Sequence, residues 1–342
     1  MKILYAVQGT GNGHISRARD IIPILRKKAD SLDIVVSGTQ ADVQLPYPVR
    51  FRYKGLSFIF GEDGGVDVWR TYLRANARRL QREVNSLPVQ EYDLVISDFE
   101  PVSAWACRLR NQPCVSLSHQ AAVLADESPK PPKGDLLGAL ILRKYAPATM
   151  EFGFHFKAYQ PNIFTPVIRQ EIRQARVADG SHYTVYLPSY SEEKLVKILS
   201  LIENARWEVF SKHSVRPRET GNIVIRPVSN TAFIQSMAGS RGVLCGAGFE
   251  TPAEALYLNK KLMVIPMKRQ YEQQCNMAAL RDMGVPAIKS LKRKHLQPLQ
   301  EWVESDLRVA VSYPDCTEQI IDQVLETALL PRFPLSYGGS NF

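Results

Sequence analysis

Three glycines and a histidine meet where the first apolar run of the chain ends: Gly9-Thr-Gly11-Asn-Gly13-His14 follows Lys2–Val7 directly. Glycines there let the backbone turn tightly and offer amides at the start of a helix, a natural anion site with Gly11 and Gly13 as its lining. The loop lacks the Gly-Lys-Ser/Thr ending of a P-loop. Its spacing also misses the dinucleotide fingerprint, and the second strand ends Ser37-Gly38 without an acid to grip a ribose, which disfavours a dehydrogenase. His14 falls in the first helical turn, and an imidazole with an ordinary pKa of about 6.5 suits proton removal from a hydroxyl. A lone histidine more often packs or caps, but the glycines before it at a strand end tip the reading toward chemistry.

A second cluster follows the strand Leu94–Ser97, which runs into Asp98-Phe-Glu100-Pro101. An acid at that strand end can reach His14, fix its tautomer and stabilise the imidazolium. The equal alternative is an N-cap for the next helix, and Glu100 is the rival acid. A third segment is Ser116-Leu-Ser-His119-Gln120. The fourth runs Gly246-Ala-Gly248-Phe-Glu-Thr251-Pro-Ala-Glu254-Ala-Leu256, then Val264-Ile-Pro266 and Gln270-Tyr-Glu-Gln273-Gln274-Cys-Asn276. Within it, Thr251 to Glu254 has the form of a capping box with proline at the first helical position.

These segments must be held by regular elements. Strands are expected at Lys2–Val7, Asp33–Ser37, Phe51–Tyr53, Ser57–Phe60, Leu94–Ser97 and Cys114–Leu117, with helices at Ile15–Lys28, Val68–Val84 and about Val102–Arg110. The scheme repeats with strands at Tyr183–Leu187, Trp207–Phe210, Ile223–Ile225, Gly242–Cys245 and Leu262–Ile265. Helices are expected at Ser191–Glu203, Asn230–Met237, Pro252–Leu258 and Tyr271–Met283. Short apolar strands alternating with helices imply parallel sheets covered on both faces. The chain is thus α/β, with two doubly wound Rossmann-like domains at 1–165 and 166–330 and a tail at 331–342, and ligands outside the carboxyl ends of the strands.

The order of glycines, Glu-Ala-Leu helix, strand ending in proline, and Gln and Asn on the next helix resembles the donor-binding signature of GT-B glycosyltransferases. Gly9 to His14 with Arg17-Ala18 resembles their N-terminal loop. The similarity is to MurG-like N-acetylglucosaminyltransferases (family 28) and plant-type UDP-glucosyltransferases (family 1). It implies a GT-B fold and an inverting transferase in which His14 is the general base and Asp98 its partner. It implies that Glu254 binds ribose hydroxyls, that Gln273 and Gln274 read sugar hydroxyls, and that Val228 lies where the base is contacted. His119 and Gln120 match a segment facing the acceptor, with Gln120 where those enzymes carry Glu. Gly246, Gly248 and Thr251 would then hold a diphosphate on amides and a helix dipole, with no metal and no cofactor. No Asp-x-Asp motif of the metal-dependent GT-A type occurs. Pro188-Ser189-Tyr190-Ser191 replaces a glycine-rich turn, so the diphosphate contact expected at Ser189 departs from the pattern.

The 342 residues carry a net charge of +9, which suggests an anionic partner. Arg70, Arg74, Arg78 and Arg82 form one stripe of a helix after the Gly61–Gly65 loop. A solvated face is the plain reading; contact with a lipid-linked or phosphorylated acceptor, or with a membrane surface, is the other. No aromatic platform accompanies the charge, so nucleic acid is not expected. No apolar run approaches the roughly 20 residues of a membrane span, and the five cysteines show no metal-ligand spacing. A cytoplasmic protein with reduced thiols, peripheral at most to the inner membrane face, is expected. The nucleotide-sugar donor is expected to carry UDP rather than GDP or dTDP. Rival readings on the same fold are a nucleotide-sugar 2-epimerase and a non-catalytic nucleotide-sugar-binding protein.

Overall fold

A computed structural model describes residues 1–38, 45–56 and 77–329. The expected strand Ser57–Phe60, the Gly61–Gly65 loop, Arg70, Arg74 and the tail 331–342 lie outside these residues.

The first sheet contains β1 (Lys2–Gln8), β2 (Ser31–Ser37), β3 (Phe51–Tyr53), β4 (Leu94–Asp98), β5 (Cys114–Ser118), β6 (Met150–Phe154) and β7 (Ile163–Phe164). Its order is β3-β2-β1-β4-β5-β6-β7, parallel at every pairing. The second contains β8 (His182–Tyr186), β9 (Arg206–Ser211), β10 (Arg218–Thr220), β11 (Ile223–Pro227), β12 (Gly242–Gly246) and β13 (Lys261–Ile265). Its order is β10-β11-β9-β8-β12-β13, with only the edge pair β10–β11 antiparallel.

Alternation along β1 explains its continuous apolar run. Ile3, Tyr5 and Val7 face one core with Ala18, Ile21 and Leu25 of the first helix, Asn12–Lys28. Leu4 and Ala6 face another with Val102 and Ala106 of the helix Pro101–Leu109. β12 repeats the arrangement, with Val243 and Cys245 on one side and Leu244 on the other. A strand buried on both faces favours apolar residues at nearly every position, with small hydroxyl residues such as Ser116 and Thr184 the exceptions.

In each sheet the winding direction reverses once, between β1 and β4 and between β8 and β12, which opens a crevice at the carboxyl ends there. Register places Val7 beside Asp98, so the glycine loop after Gln8 and the end of β4 are neighbours.

The chain crosses between the two sheets after Phe164 and again between Glu304 and Thr317. The crossings run side by side: Arg173 Nη1 donates to the Tyr313 carbonyl (3.0 Å) and Gln170 Nε2 to Asp315 (2.6 Å), while Tyr313 Oη donates to the Phe156 carbonyl (3.0 Å) in the loop before β7. The helix Thr317–Leu329 then buries Ile320, Ile321 and Val324 in the same core as the first helix. Lys28 reaches both Glu318 (3.2 Å) and Asp322 (2.7 Å) on it. The five cysteines are free thiols. Among the described residues, no helix is long and apolar enough to cross a membrane.

Gly153 of β6 lies against the helix His119–Leu124, where an added methyl would come within 2.6 Å of the Ala122 amide nitrogen and 3.0 Å of its Cα. Backbone cannot step aside, so Gly153→Ala is expected to cost about 1–3 kcal/mol. Gly239→Ala, which meets open space, is the control. Equal urea midpoints for the two variants would show that the β6 contact yields.

Candidate functional site

The glycine loop ends in the first helix, whose N-cap Gly11 is extended and supplies no side-chain cap. His14 therefore sits in the first turn, over the crevice. Its Nδ1–H donates to Asp98 Oδ1 (2.8 Å), leaving the Nε2 lone pair available. His14 is partly exposed whereas Asp98 has no exposure at all. Phe99 lies parallel to the imidazole at 6.3 Å.

The competition between Asp98 and Glu100 is resolved by the backbone between them. Phe99 adopts φ 56°, the left-handed region that a bulky side chain avoids. That turn sends the two carboxylates to different places. Glu100 is the N-cap of the helix Pro101–Leu109, accepting from Val102 N (2.7 Å) and Ser103 N (2.6 Å), and is fully buried. Glu100 thus caps that helix and does not rival Asp98 for His14, and Asp98 is freed from the capping alternative.

Asp98 accepts from more than His14. Arg17, one turn further along the helix, donates Nε to Oδ2 (3.1 Å) and Nη2 to Oδ1 (2.7 Å). Burial pushes the Asp98 carboxyl up, but Arg17 and then His14 pull it further down, so it ends below the ordinary aspartate value. The Nη1 of Arg17 donates to Glu250, which begins the helix Glu250–Tyr257 after β12. A methyl on Gly13 would stand 2.6 Å from the Glu250 carboxylate, so the two glycine turns face each other.

On the second sheet Ser189, Val228 and Gly248 follow the carboxyl ends of β8, β11 and β12, and Gly246 is the last residue of β12. A methyl on Gly248 would meet nothing within 4 Å, and one on Gly246 only Gln273 Oε1 at 3.8 Å, so backbone and open space adjoin there. The capping box is not formed: the helix starts at Glu250, which leaves Thr251 inside it. Glu254 is buried and instead takes a bidentate pair from Arg169 Nε (2.5 Å) and Nη2 (2.8 Å). Gln273 Oε1 accepts from Met267 N (2.8 Å), and Gln274 is partly buried on the same helix, Tyr271–Asp282.

His119 and Gln120 link the two units. His119 is buried, donates Nδ1–H to the Phe154 carbonyl (2.8 Å) and stacks on Phe249 at 4.0 Å. Its Nε2 meets the Asn276 side chain at 2.8 Å. Gln120 Nε2 donates to Glu272 (3.0 Å). Arg17, Glu250, Arg169 and Asn276 were not singled out as site residues from sequence. Arg17 carried a signal, its i, i+3 spacing from His14; Arg169 lies in irregular chain that offers none. Among the described residues, no group of three His, Cys, Asp or Glu side chains is placed to hold a metal ion.

A carboxyl held below its unfolded value stabilises the fold at every pH above that value, about 3.9 for aspartate, and the contribution fades as pH falls through the folded one. Asp98→Asn is therefore expected to lower stability at neutral pH by about 3–5 kcal/mol. The gap to the wild type should close below about pH 4. Chemical denaturation across pH measures this, and a gap that persists undiminished would remove the ionic explanation.

The architecture recurs in solved structures. The glycosyltransferase SnogD from Streptomyces nogalater aligns at 12% identity and TM-score 0.53, over 95% of this chain and 99% of that one. UGT89C1 of Arabidopsis thaliana, complexed with UDP, aligns at 14% and 0.58, over 99% and 96%. MurG of Acinetobacter baumannii aligns at 14% and 0.57, over 95% and 99%. At such identities these likenesses establish the GT-B fold. No curated protein sequence matches the chain. The sequence model of Glycosyl transferase family 1 matches residues 1–304, a span that takes in both sheets, the His14 loop and the Gly246 turn. By that match the chain belongs to glycosyl transferase family 1.

Proposed function

We propose that this glycosyltransferase moves a sugar from a nucleotide diphosphate, UDP before GDP or dTDP, to an acceptor hydroxyl with inversion. The observation that carries the reading is the His14–Asp98 hydrogen bond at the switch point of the first sheet, opposite the open glycine turn of the second. His14 Nε2 takes the hydroxyl proton as the acceptor oxygen bonds to the anomeric carbon. The bond from that carbon to the diphosphate oxygen breaks, and its electron pair leaves with the nucleotide. Asp98 keeps Nδ1 protonated and stabilises the imidazolium.

The leaving diphosphate is received by the backbone at Gly246 and Gly248 and by the N-terminus of the helix Glu250–Tyr257, without a metal. Glu254 is already paired, so a ribose hydroxyl would share its carboxylate with Arg169. An anionic acceptor suits the helix Ala77–Ser86, on which Arg78 and Arg82 are exposed.

A thermal-shift panel of UDP, GDP, dTDP and their sugars, with and without chelator, tests the donor. A ligand at 100 times its Kd adds about 2.7 kcal/mol, a rise of a few degrees. No shift with any of them would refute the donor class. His14→Ala is expected to abolish transfer while donor binding stays within about twofold; conversion of the donor without acceptor would instead point to epimerisation.

A further inference from the structure

The His14–Asp98 pair leaves one guanidinium unexplained. Arg17 is almost without exposure, yet Asp98 needs only His14 to fix the tautomer. Arg17 Nη2 stands 3.2 Å from His14 Nδ1. That nitrogen carries the hydrogen Asp98 accepts, so two N–H groups face each other, and the contact becomes repulsive once the imidazole is protonated. Asp98 and Arg17 together carry no net charge. Taken alone they orient His14 but give its imidazolium little support. Glu250 restores one negative charge through its bond to Arg17 Nη1, and it comes from the other unit.

We propose that Arg17 is a positioning residue that tunes the proton affinity of His14, with Glu250 of the other unit completing the charge set. With Arg17 alone beside it, Asp98 is neutralised and gives the imidazolium little support. Glu250 neutralises Arg17 in turn, so Asp98 is left to support the imidazolium when the hydroxyl proton moves to Nε2.

The other ionisable groups facing this set do not replace Glu250. Tyr5 below it is buried, and burial followed by Asp98 pushes its hydroxyl far above the ordinary value, so it stays neutral. Glu250 also faces the Arg169–Glu254 pair, which carries no net charge. It faces His119 as well, whose pKa burial lowers.

The coupling is measured on the full chain with carbon-13-labelled histidine, by NMR titration. The His14 signal is identified by its loss in His14→Gln. Relative to wild type, Arg17→Met is expected to raise the His14 midpoint by about half to one pH unit, and Glu250→Gln to lower it by a similar amount. A merely structural cluster would loosen in both variants and move both midpoints the same way. Midpoints that agree in direction, or that ignore both substitutions, overturn the proposal. Glu250 is partly exposed, and if Arg17→Met does not fold, Arg17→Gln takes its place in the comparison with Glu250→Gln. The catalytic use of this coupling rests on His14 being the base, and failure of that reading shows separately, as transfer retained by His14→Ala.

Discussion

Asp98 ends a central strand with no access to water. An unpaired carboxylate there would carry a heavy desolvation cost or be forced to protonate, so hydrogen-bond donors surround it. The first helix supplies them from His14 and Arg17, one turn apart on one face. That requires the helix to begin directly after the glycines, and the glycines to follow a strand adjacent to β4. Sheet order, loop composition and helix start are thus all constrained by one buried charge. The left-handed Phe99 belongs to the same requirement, because it directs Asp98 to the helix and leaves the cap to Glu100.

The seam between the units is joined by directional polar contacts: Arg17 to Glu250, His119 to Asn276 and Gln120 to Glu272. Buried ion pairs roughly break even against desolvation, so contacts of this kind fix a geometry more than they deepen its stability. Such a seam sets one register between the two halves. Glu250 gains further from the helix end on which it sits, where a negative charge is favoured.

Much of this was legible in the sequence, and the reasons differ by element. The central strands announce themselves because burial on both faces leaves apolar residues at every position, as in Ile3 to Val7 and Gly242 to Cys245. The proximity of His14 and Asp98 followed from strand ends alone. The choice between Asp98 and Glu100 did not, because both stand beside one strand end and a single backbone dihedral separates their roles. The capping-box pattern at Thr251 was misleading for a similar reason. A local motif competes with long-range partners, and Glu254 found Arg169, 85 residues away in sequence, in a segment without periodicity. Contacts across the seam, such as His119 with Phe249, depend on how the units meet, which no single segment encodes.

The paired crossings between the sheets carry a mechanical consequence. Gln170 and Arg173 on one are bonded to Tyr313 and Asp315 on the other, so the two covalent connections lie next to each other. A body attached at two adjacent points can swing about the line through them but cannot swivel or slide freely. Relative motion of the halves is thereby reduced toward a single angle. Any swing would therefore carry the Gly246 turn back to the same place without a search over orientations, much as a flap sewn along one edge falls back on its own outline.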